Sequence, residues 1–244
     1  MSLSLGLGAD SSSYQEFTLT DISDLALWLQ NGVGITSDES NRVSKWDDQS
    51  GNSRHATQSS TGDMALLSGG GLDFEESDSD HYDLASTITI AENAGFCLAV
   101  VIDQETVSNN TILSKDADDQ FQIVNSGRIR FRANDDTDTT TNFDVDETPF
   151  GTGKMLLLLN RSAGASNRFT MFKNGTQLTF NTDTSTAEAA GENPNGFDIN
   201  VVGANAGGSQ YFDGKILELA FWSKSLNVTE IAEVNSYLQE IHGL

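Results

Sequence analysis

The chain alternates between short apolar runs and clusters of Gly, Asn, Asp and Ser. Three runs, residues 25–29, 96–102 and 155–159, are apolar at almost every position. Successive side chains of a strand point to opposite faces of a sheet, so a strand of this kind has both faces buried. These runs therefore predict central strands, and the polar clusters between them predict turns.

Other segments alternate apolar and polar residues. Residues 121–131 do so on both sides of an Asn-Ser-Gly turn, and residues 168–180 do so on both sides of Asn-Gly. Asn-Gly accepts the positive φ angles of a tight hairpin turn. Both segments predict hairpins, and two more strands are predicted at residues 199–203 and 215–222.

The closing segment predicts the one helix. Its apolar residues recur at the helical period, with a capping pair before them and a glycine after them. The residues are Ile231, Val234, Leu238 and Ile241 on the apolar face, Asn227 and Glu230 as the cap, and Gly243 as the stop. An acidic stretch, 134–147, and a small-residue stretch, 182–196, predict surface loops. The pattern as a whole predicts an all-β fold, an antiparallel jelly-roll β-sandwich with a short C-terminal α-helix.

The first 20 residues differ from the rest. Leu3, Leu5 and Leu7 alternate with Ser and Gly, and three serines follow. In an extended strand all three leucines would point to one face. Such a segment is either disordered or adds itself to the edge of another sheet, and both alternatives stay open. We predict an arm or anchor at residues 1–20 and a jelly-roll domain at residues 21–244.

Charge excludes two classes of partner. The formal net charge is −23, from 36 acidic and 13 basic residues. Such a surface repels nucleic-acid phosphates and anionic lipids, so we expect neither nucleic acid nor a membrane as partner. The N-terminus lacks the basic start of a signal peptide, so synthesis in a cytoplasm is expected. The lone Cys97 lies in an apolar run and is predicted to be buried.

The motifs of common catalytic sites are missing from the sequence. There is no G-x-S-x-G, H-E-x-x-H, C-x-x-C or phosphate-binding loop, and the three histidines lie far apart. Sandwich enzymes that cleave β-glucans place carboxylates on one strand face as Glu-x-Asp-x-x-Glu, because glycoside hydrolysis needs a carboxylate pair. That spacing does not occur. The sequence therefore predicts a protein without enzymatic activity.

Two groups of residues are candidates for binding. Asp47 and Asp48 lie in a polar turn that could gather oxygen ligands for calcium, or they could cap the turn itself. Trp46, Tyr82 and Tyr211 border polar loops, where an aromatic ring either stacks on a sugar or belongs to the core. The tryptophans inside apolar strands, at positions 28 and 222, are predicted to be core residues.

Two stretches resemble a known family. Leu-Ala-Leu-Trp-Leu at 25–29 with Val-Ser-Lys-Trp-Asp-Asp-Gln-Ser-Gly-Asn at 43–52 is similar to the opening of laminin-G-like, concanavalin A-like jelly-roll domains. The ending at 212–226, with Tyr237-Leu238 in the helix, is similar to their closing strand and helix. The resemblance implies a laminin-G-like, concanavalin A-like sandwich over about residues 20–244. It also implies calcium at Asp47 or Asp48, since relatives bind it near this loop, while the missing carboxylate motif argues against hydrolase activity.

The arm resembles the start of bacteriophage virion proteins that have such a domain. This resemblance implies a non-enzymatic virion surface protein, a capsid decoration or fibre, with weak glycan binding as an added role. Its Leu3, Leu5 and Leu7 would anchor it to virion proteins, and a homo-oligomer is expected. The alternatives are a carbohydrate-binding lectin module at a cell surface and, third, a glycoside hydrolase of the same fold.

Overall fold

The computed structural model describes residues 17–116, 118–133, 140–145, 148–164, 169–181, 195–205 and 209–244. In these residues two antiparallel sheets pack as a sandwich, which confirms the predicted fold class. One helix, α1 (Val228–His242), follows the last strand. The strands are β1 (Leu25–Leu29), β2 (Ile35–Ser37), β3 (Val43–Trp46), β4 (Ala56–Thr57), β5 (Leu66–Ser68), β6 (Gly71–Phe74), β7 (Tyr82–Ile90), β8 (Phe96–Gln104), β9 (Asn110–Ser114), β10 (Gln120–Asn125), β11 (Arg128–Arg132), β12 (Thr140–Asp144), β13 (Gly153–Arg161), β14 (Phe169–Lys173), β15 (Thr176–Gln177), β16 (Phe197–Val202) and β17 (Gly214–Trp222).

The two sheets have long, non-sequential strand orders. The eight-stranded sheet runs β15-β14-β13-β8-β17-β6-β5, and β1 pairs with β17 as well. The nine-stranded sheet runs β12-β11-β10-β9-β16-β7-β4-β3-β2. Strands β8 and β13 lie inside the first sheet, as their apolar runs predicted, and β17 lies inside it as well. The third predicted central strand, β1, is buried at all five positions. In the described chain β1 pairs with a single strand, β17, so it is not central in the sheet.

The main core fills the space between the sheets and is rich in phenylalanine. The ring of Phe96 lies 4.9 Å from that of Phe197 and 5.7 Å from that of Phe221. A buried cation belongs to this core: the Arg161 guanidinium lies 4.9 Å from the Phe96 ring centre. It donates hydrogen bonds to the carbonyl oxygens of Ala94 and Asn195 at 2.7 and 2.8 Å. Burial lowers the pKa of Arg161 to about 10, so it stays charged at neutral pH.

A second apolar layer covers the outer face of the eight-stranded sheet. α1 packs there through Ile231, Val234 and Leu238, over strand residues that include Trp222. This layer explains why β8, β13 and β17 are apolar on both faces. It also confirms that Trp28 and Trp222 are core residues, 5% and 0% exposed. Leu19, fully buried in the same layer, shows that the packing of the domain extends into residues before position 21.

The helix begins and ends as predicted, with one exception on its apolar face. Asn227 accepts hydrogen bonds from the backbone N–H groups of Thr229 and Glu230, and Gly243 ends the helix with φ of 63°. Ile241, however, is 49% exposed, while His242 is 8% exposed and takes the buried position. No described helix is long and apolar enough to cross a membrane.

The hairpin predictions are confirmed, and one loop prediction is wrong. β10 pairs with β11, and β14 pairs with β15 through the Asn174-Gly175 turn. The acidic stretch 134–147, predicted as a loop, contains β12, which pairs with β11 along its whole length. Burial of Phe143 favours the formation of β12, because its side chain lies fully buried in the sandwich core. Of the stretch 182–196, residues 182–194 lie outside the described part.

Candidate functional site

Asp48 organises the turn at residues 47–54. One carboxylate oxygen accepts the backbone N–H groups of Trp28 and Ser50, each at 2.9 Å. The other accepts the Ser50 hydroxyl and the Arg54 N–H, also at 2.9 Å. Asp48 is only 7% exposed. Because protein donors occupy both oxygens, the arrangement is that of a turn cap.

Asp47 points to a different set of partners. Its Oδ1 lies 2.6 Å from the Lys45 ammonium and 3.0 Å from His55 Nδ1. In the described part of the chain no group of three or more His, Cys, Asp or Glu side chains is placed to hold a metal ion. Calcium binding by Asp47 or Asp48 stays a prediction.

Two of the three aromatic candidates are core residues, which corrects the prediction. Trp46 and Tyr82 are both 0% exposed, so neither ring has a face for a sugar. Trp46 donates its indole N–H to the Gln30 carbonyl at 3.0 Å. Tyr82 donates its hydroxyl to the Val43 carbonyl at 2.7 Å, and burial raises its pKa. Each polar tip has a backbone partner, which is what permits these rings to be buried beside polar loops.

Tyr211 remains a candidate. It is partly exposed, and its ring centre lies 6.1 Å from that of His81. The anchor residues Leu3, Leu5 and Leu7 lie outside the described residues.

The outer side of the nine-stranded sheet contains a polar surface that the sequence interpretation missed. Ile129 and Phe131 of β11 point into the core, so Arg128, Arg130 and Arg132 point to the other side. Across the β10–β11 pair Arg130 is opposite Gln122. We call the surface formed by Arg128, Arg130, Arg132 and Gln122 the arginine face. It concentrates three of the 13 basic residues of the chain on one strand.

The two outer arginines are held by carboxylates. Arg128 forms a two-pronged ion pair with Asp144, in which Nη2 lies 2.7 Å from Oδ2. Arg132 Nη2 lies 3.2 Å from the Asp118 carboxylate. The two pairs fix the ends of the row, and a bidentate pair also fixes the plane of the guanidinium.

Arg130 lies in the middle of the arginine face. Burial, and then the positive charges of Arg128 and Arg132, lower the pKa of Arg130. Its Nη1 donates to the Gln122 side-chain oxygen at 3.4 Å.

Gln122 links the arginine face to a distant loop. It is fully buried, and its amide nitrogen lies 3.1 Å from the Asn109 carbonyl, 3.3 Å from Thr111 Oγ1 and 3.0 Å from Gln210 Oε1. Gln210 is one residue from Tyr211, so the loop that contains the remaining aromatic candidate is tied to this face. The Arg-Ile-Arg-Phe-Arg alternation was the available signal for the arginines, whereas nothing local in the sequence joins Gln122 to a residue 88 positions away.

The comparisons with known proteins agree with this architecture. A model of the concanavalin A-like lectin/glucanases superfamily matches residues 75–232, which is more than half of the chain. No curated protein matches the sequence. In structure the chain is similar to the binding domain of Paraclostridial mosquitocidal protein 1, with a TM-score of 0.57 and 14% identity over 90% of this chain and 53% of the other.

A second solved structure is a sialidase from Trypanosoma rangeli. It has a TM-score of 0.52 and 14% identity over 90% of this chain and 33% of the other. The chain thus spans about a third of the sialidase and about half of the toxin domain, and at this identity the likeness concerns the fold alone. The family match confirms the resemblance seen in the sequence: the chain belongs to the concanavalin A-like lectin/glucanase superfamily.

Proposed function

We propose that the chain is a non-catalytic recognition domain that binds glycans on its arginine face and is displayed on the surface of a bacteriophage particle. The arginine face is the observation that supports binding. It places three arginine side chains in one row on a chain with a net charge of −23. Such side chains suit sugar hydroxyl and carboxylate groups, because they offer several donors in fixed directions.

The state of the nearby carboxylates supports a role without catalysis. Hydrolysis of a glycosidic bond needs one carboxyl group that gives a proton and a second that attacks or activates water. Next to the arginine face Asp144 and Asp118 are both engaged by arginines. A carboxylate held in this way is a poor proton donor.

Display on a particle rests on the sequence. The arm with Leu3, Leu5 and Leu7 resembles the start of virion proteins, and the acidic composition suits a surface that must not bind nucleic acid. The two structural neighbours are part of a sialidase and a toxin binding domain, so the fold is compatible with enzymes and with binding domains alike.

Binding is tested with the purified full chain on an array of neutral and acidic oligosaccharides. Arg130→Gln removes the central charge and is expected to weaken binding roughly 10-fold or more, the cost of a charged hydrogen bond. Arg42→Gln is the matched control, since Arg42 is exposed and precedes β3 near the opposite edge of the same sheet. Equal affinities for both variants would move the binding site away from the arginine face.

Particle display is tested by mass spectrometry of purified virions. We expect this chain in the particles and expect a chain that lacks residues 1–16 to be absent from them. A full-length chain found on cell surfaces and never in particles would support the alternative, a cell-surface lectin module.

A further inference from the structure

A groove of about 710 Å³ separates α1 from the outer face of strands β13 and β14. Phe172, Leu226, Ile231 and Ala232 give it an apolar lining, and Val228 at its rim is 85% exposed. None of its thirteen lining side chains is charged, in a chain with 49 acidic and basic residues (36 and 13). A groove of this size and polarity is an expected place for a ligand or a peptide segment.

Among the described residues, one polar atom of the groove has no hydrogen-bond partner. Asn235 lines the groove and is 6% exposed. Its side-chain nitrogen donates to the Ile231 carbonyl at 2.9 Å, whereas its buried Oδ1 has no hydrogen bond with any described residue. A buried acceptor without a donor costs free energy, so the site favours an occupant that brings an N–H or O–H group. An extended peptide backbone supplies such donors along its length.

The described chain begins next to this groove. The Phe17 ring packs edge-on against Tyr237 of α1, with 5.7 Å between ring centres. Ser236 borders both the groove and the pocket that contains Phe17, so the two lie on adjacent sides of the helix. Nine residues, 8–16, separate Phe17 from Leu7, and nine extended residues reach about 30 Å, well beyond the ~10–12 Å width of a helix.

We propose that the groove is the docking site of the chain's own N-terminal arm, with Leu3, Leu5 and Leu7 as the docked residues. The arm suits the groove in three respects. Its first nine residues contain no charged side chain, as the groove contains none. Its three leucines alternate with Ser and Gly, which permits an apolar contact on one side and a close approach of the backbone. Its backbone N–H groups are donors for Asn235 Oδ1.

Docking of this kind shields the leucines before the arm meets another protein. Because the arm is tethered beside the groove, its effective concentration there is in the millimolar range, above that of any second copy in dilute solution. The contact is reversible, so a partner with a better surface for the leucines can displace it. This inference does not depend on glycan binding, which concerns the opposite sheet.

Disulfide trapping in the full-length chain tests the proposal. The native Cys97 is fully buried and burial raises the pKa of its thiol, so it stays out of exchange. In the variant Leu5→Cys with Ala232→Cys, mild oxidation is expected to give an intramolecular disulfide. The matched control is Leu5→Cys with Glu233→Cys, because Glu233 is also exposed but borders the Phe17 pocket instead of the groove.

A tethered arm without docking would reach Glu233 at least as readily as Ala232, because Glu233 borders the pocket of Phe17, where the tether begins. Docking therefore predicts that the Ala232→Cys pair closes ~10-fold faster or more, in line with a preferred site of raised effective concentration. Leu3→Ser with Leu7→Ser in the same background is expected to abolish that preference. Equal rates for the two pairs would overturn the proposal. A product that is a disulfide-linked dimer would overturn it in favour of the groove of a second copy.

Discussion

Asp80 is a carboxyl group that the fold buries among other acids. It is 2% exposed, and one oxygen accepts the Glu75 N–H at 2.9 Å while the other has no described partner. Burial, together with the charges of Asp78, Glu75 and Asp63, raises the pKa of Asp80 to about 6. The folded state therefore binds a proton that the unfolded state releases between about pH 4 and pH 6, and stability falls as pH rises through that window.

Replacing Asp80 with Asn is expected to stabilise the protein above pH 6. The amide keeps an acceptor for the Glu75 N–H and removes the buried charge, which should raise the free energy of unfolding by about 1–3 kcal/mol at pH 8. Below pH 4 the effect should vanish, because Asp80 is then protonated in both states. Urea unfolding at both pH values measures the difference, with the exposed Asp83→Asn as control; a destabilised Asp80→Asn at pH 8 would contradict it.

Asp48 and Asp47 have different roles although they are neighbours. Removing the Asp48 side chain leaves three backbone N–H groups without their acceptor, the buried one of Trp28 and the partly buried ones of Ser50 and Arg54. We expect Asp48→Ala to lower the free energy of unfolding by on the order of 3 kcal/mol. Asp47 is a partly exposed ion-pair partner, so we expect Asp47→Ala to lower it by less than about 1 kcal/mol. Thermal unfolding of the two variants gives the comparison.

Calcium provides a separate test at these two residues. If the ion binds there, millimolar calcium raises the Tm of the chelator-treated protein by mass action, and Asp47→Ala reduces the rise. An unchanged Tm would leave both residues without a metal role.

At the scale of secondary structure, the β10–β11–β12 sheet edge decides where the arginine face lies. The alternation in β11 was enough to predict a strand with its arginines on one side. β12 was missed because Phe143 and Val145 are the only apolar residues in the Thr-rich, acidic stretch 134–147. That is a weak local signal, and the pairing with β11 outweighs it. The tertiary contact from Gln122 to Gln210 has no local sequence signal at all.

The last turn of α1 illustrates the same limit. The helical period selected Ile241 as a buried residue, but His242 is buried because Glu218 lies beneath it. Glu218 accepts the Trp28 indole N–H at 2.8 Å and lies 2.7 Å from His242 Nε2. Trp28, Glu218 and His242 thus form a polar cluster below an apolar helix face. Two of its members belong to strands β1 and β17, so the helix sequence alone does not predict it.

His242→Ala is therefore expected to destabilise the protein more than Ile241→Ala does. Loss of the imidazole leaves one oxygen of the buried Glu218 without its partner, a cost of about 2–4 kcal/mol. Ile241 is half exposed, so its truncation should cost less than about 1 kcal/mol. Denaturant unfolding ranks the variants, and hydrogen exchange in the last turn of α1 should rise in His242→Ala alone. The reverse ranking would show that the helix end is held by Ile241.

At the scale of the whole molecule, the fold was predictable from the sequence and the proposed binding surface was not. The strands that are apolar on both faces, the Asn-Gly turn and the capped helix all follow from local sequence patterns. Each of them favours the same sandwich fold. Trp46 and Tyr82 show why the sequence did not predict which aromatic rings are exposed. An aromatic ring next to a polar loop in sequence is buried when a backbone carbonyl accepts a hydrogen bond from its polar group, as the carbonyls of Gln30 and Val43 do here. Those carbonyls lie elsewhere in the chain, directly after β1 and in β3, so exposure is a property of the folded chain.

The proposal of a non-catalytic domain also draws on five carboxylates that the fold holds in place. Asp48 caps a turn, Asp80 is buried, Asp144 and Asp118 bind arginines, and Glu218 is 1% exposed below α1. A hydrolase needs two carboxyl groups that face one cleft at about 5–10 Å from each other, with the substrate between them. The purified protein should therefore release no reducing ends from neutral or acidic polysaccharides between about pH 5 and pH 8, the range in which carboxyl pairs operate. The assay is decisive when paired with variants: turnover above buffer that disappears on replacing one Asp or Glu, and survives Arg42→Gln, would establish an active site and refute the binding role proposed for this chain.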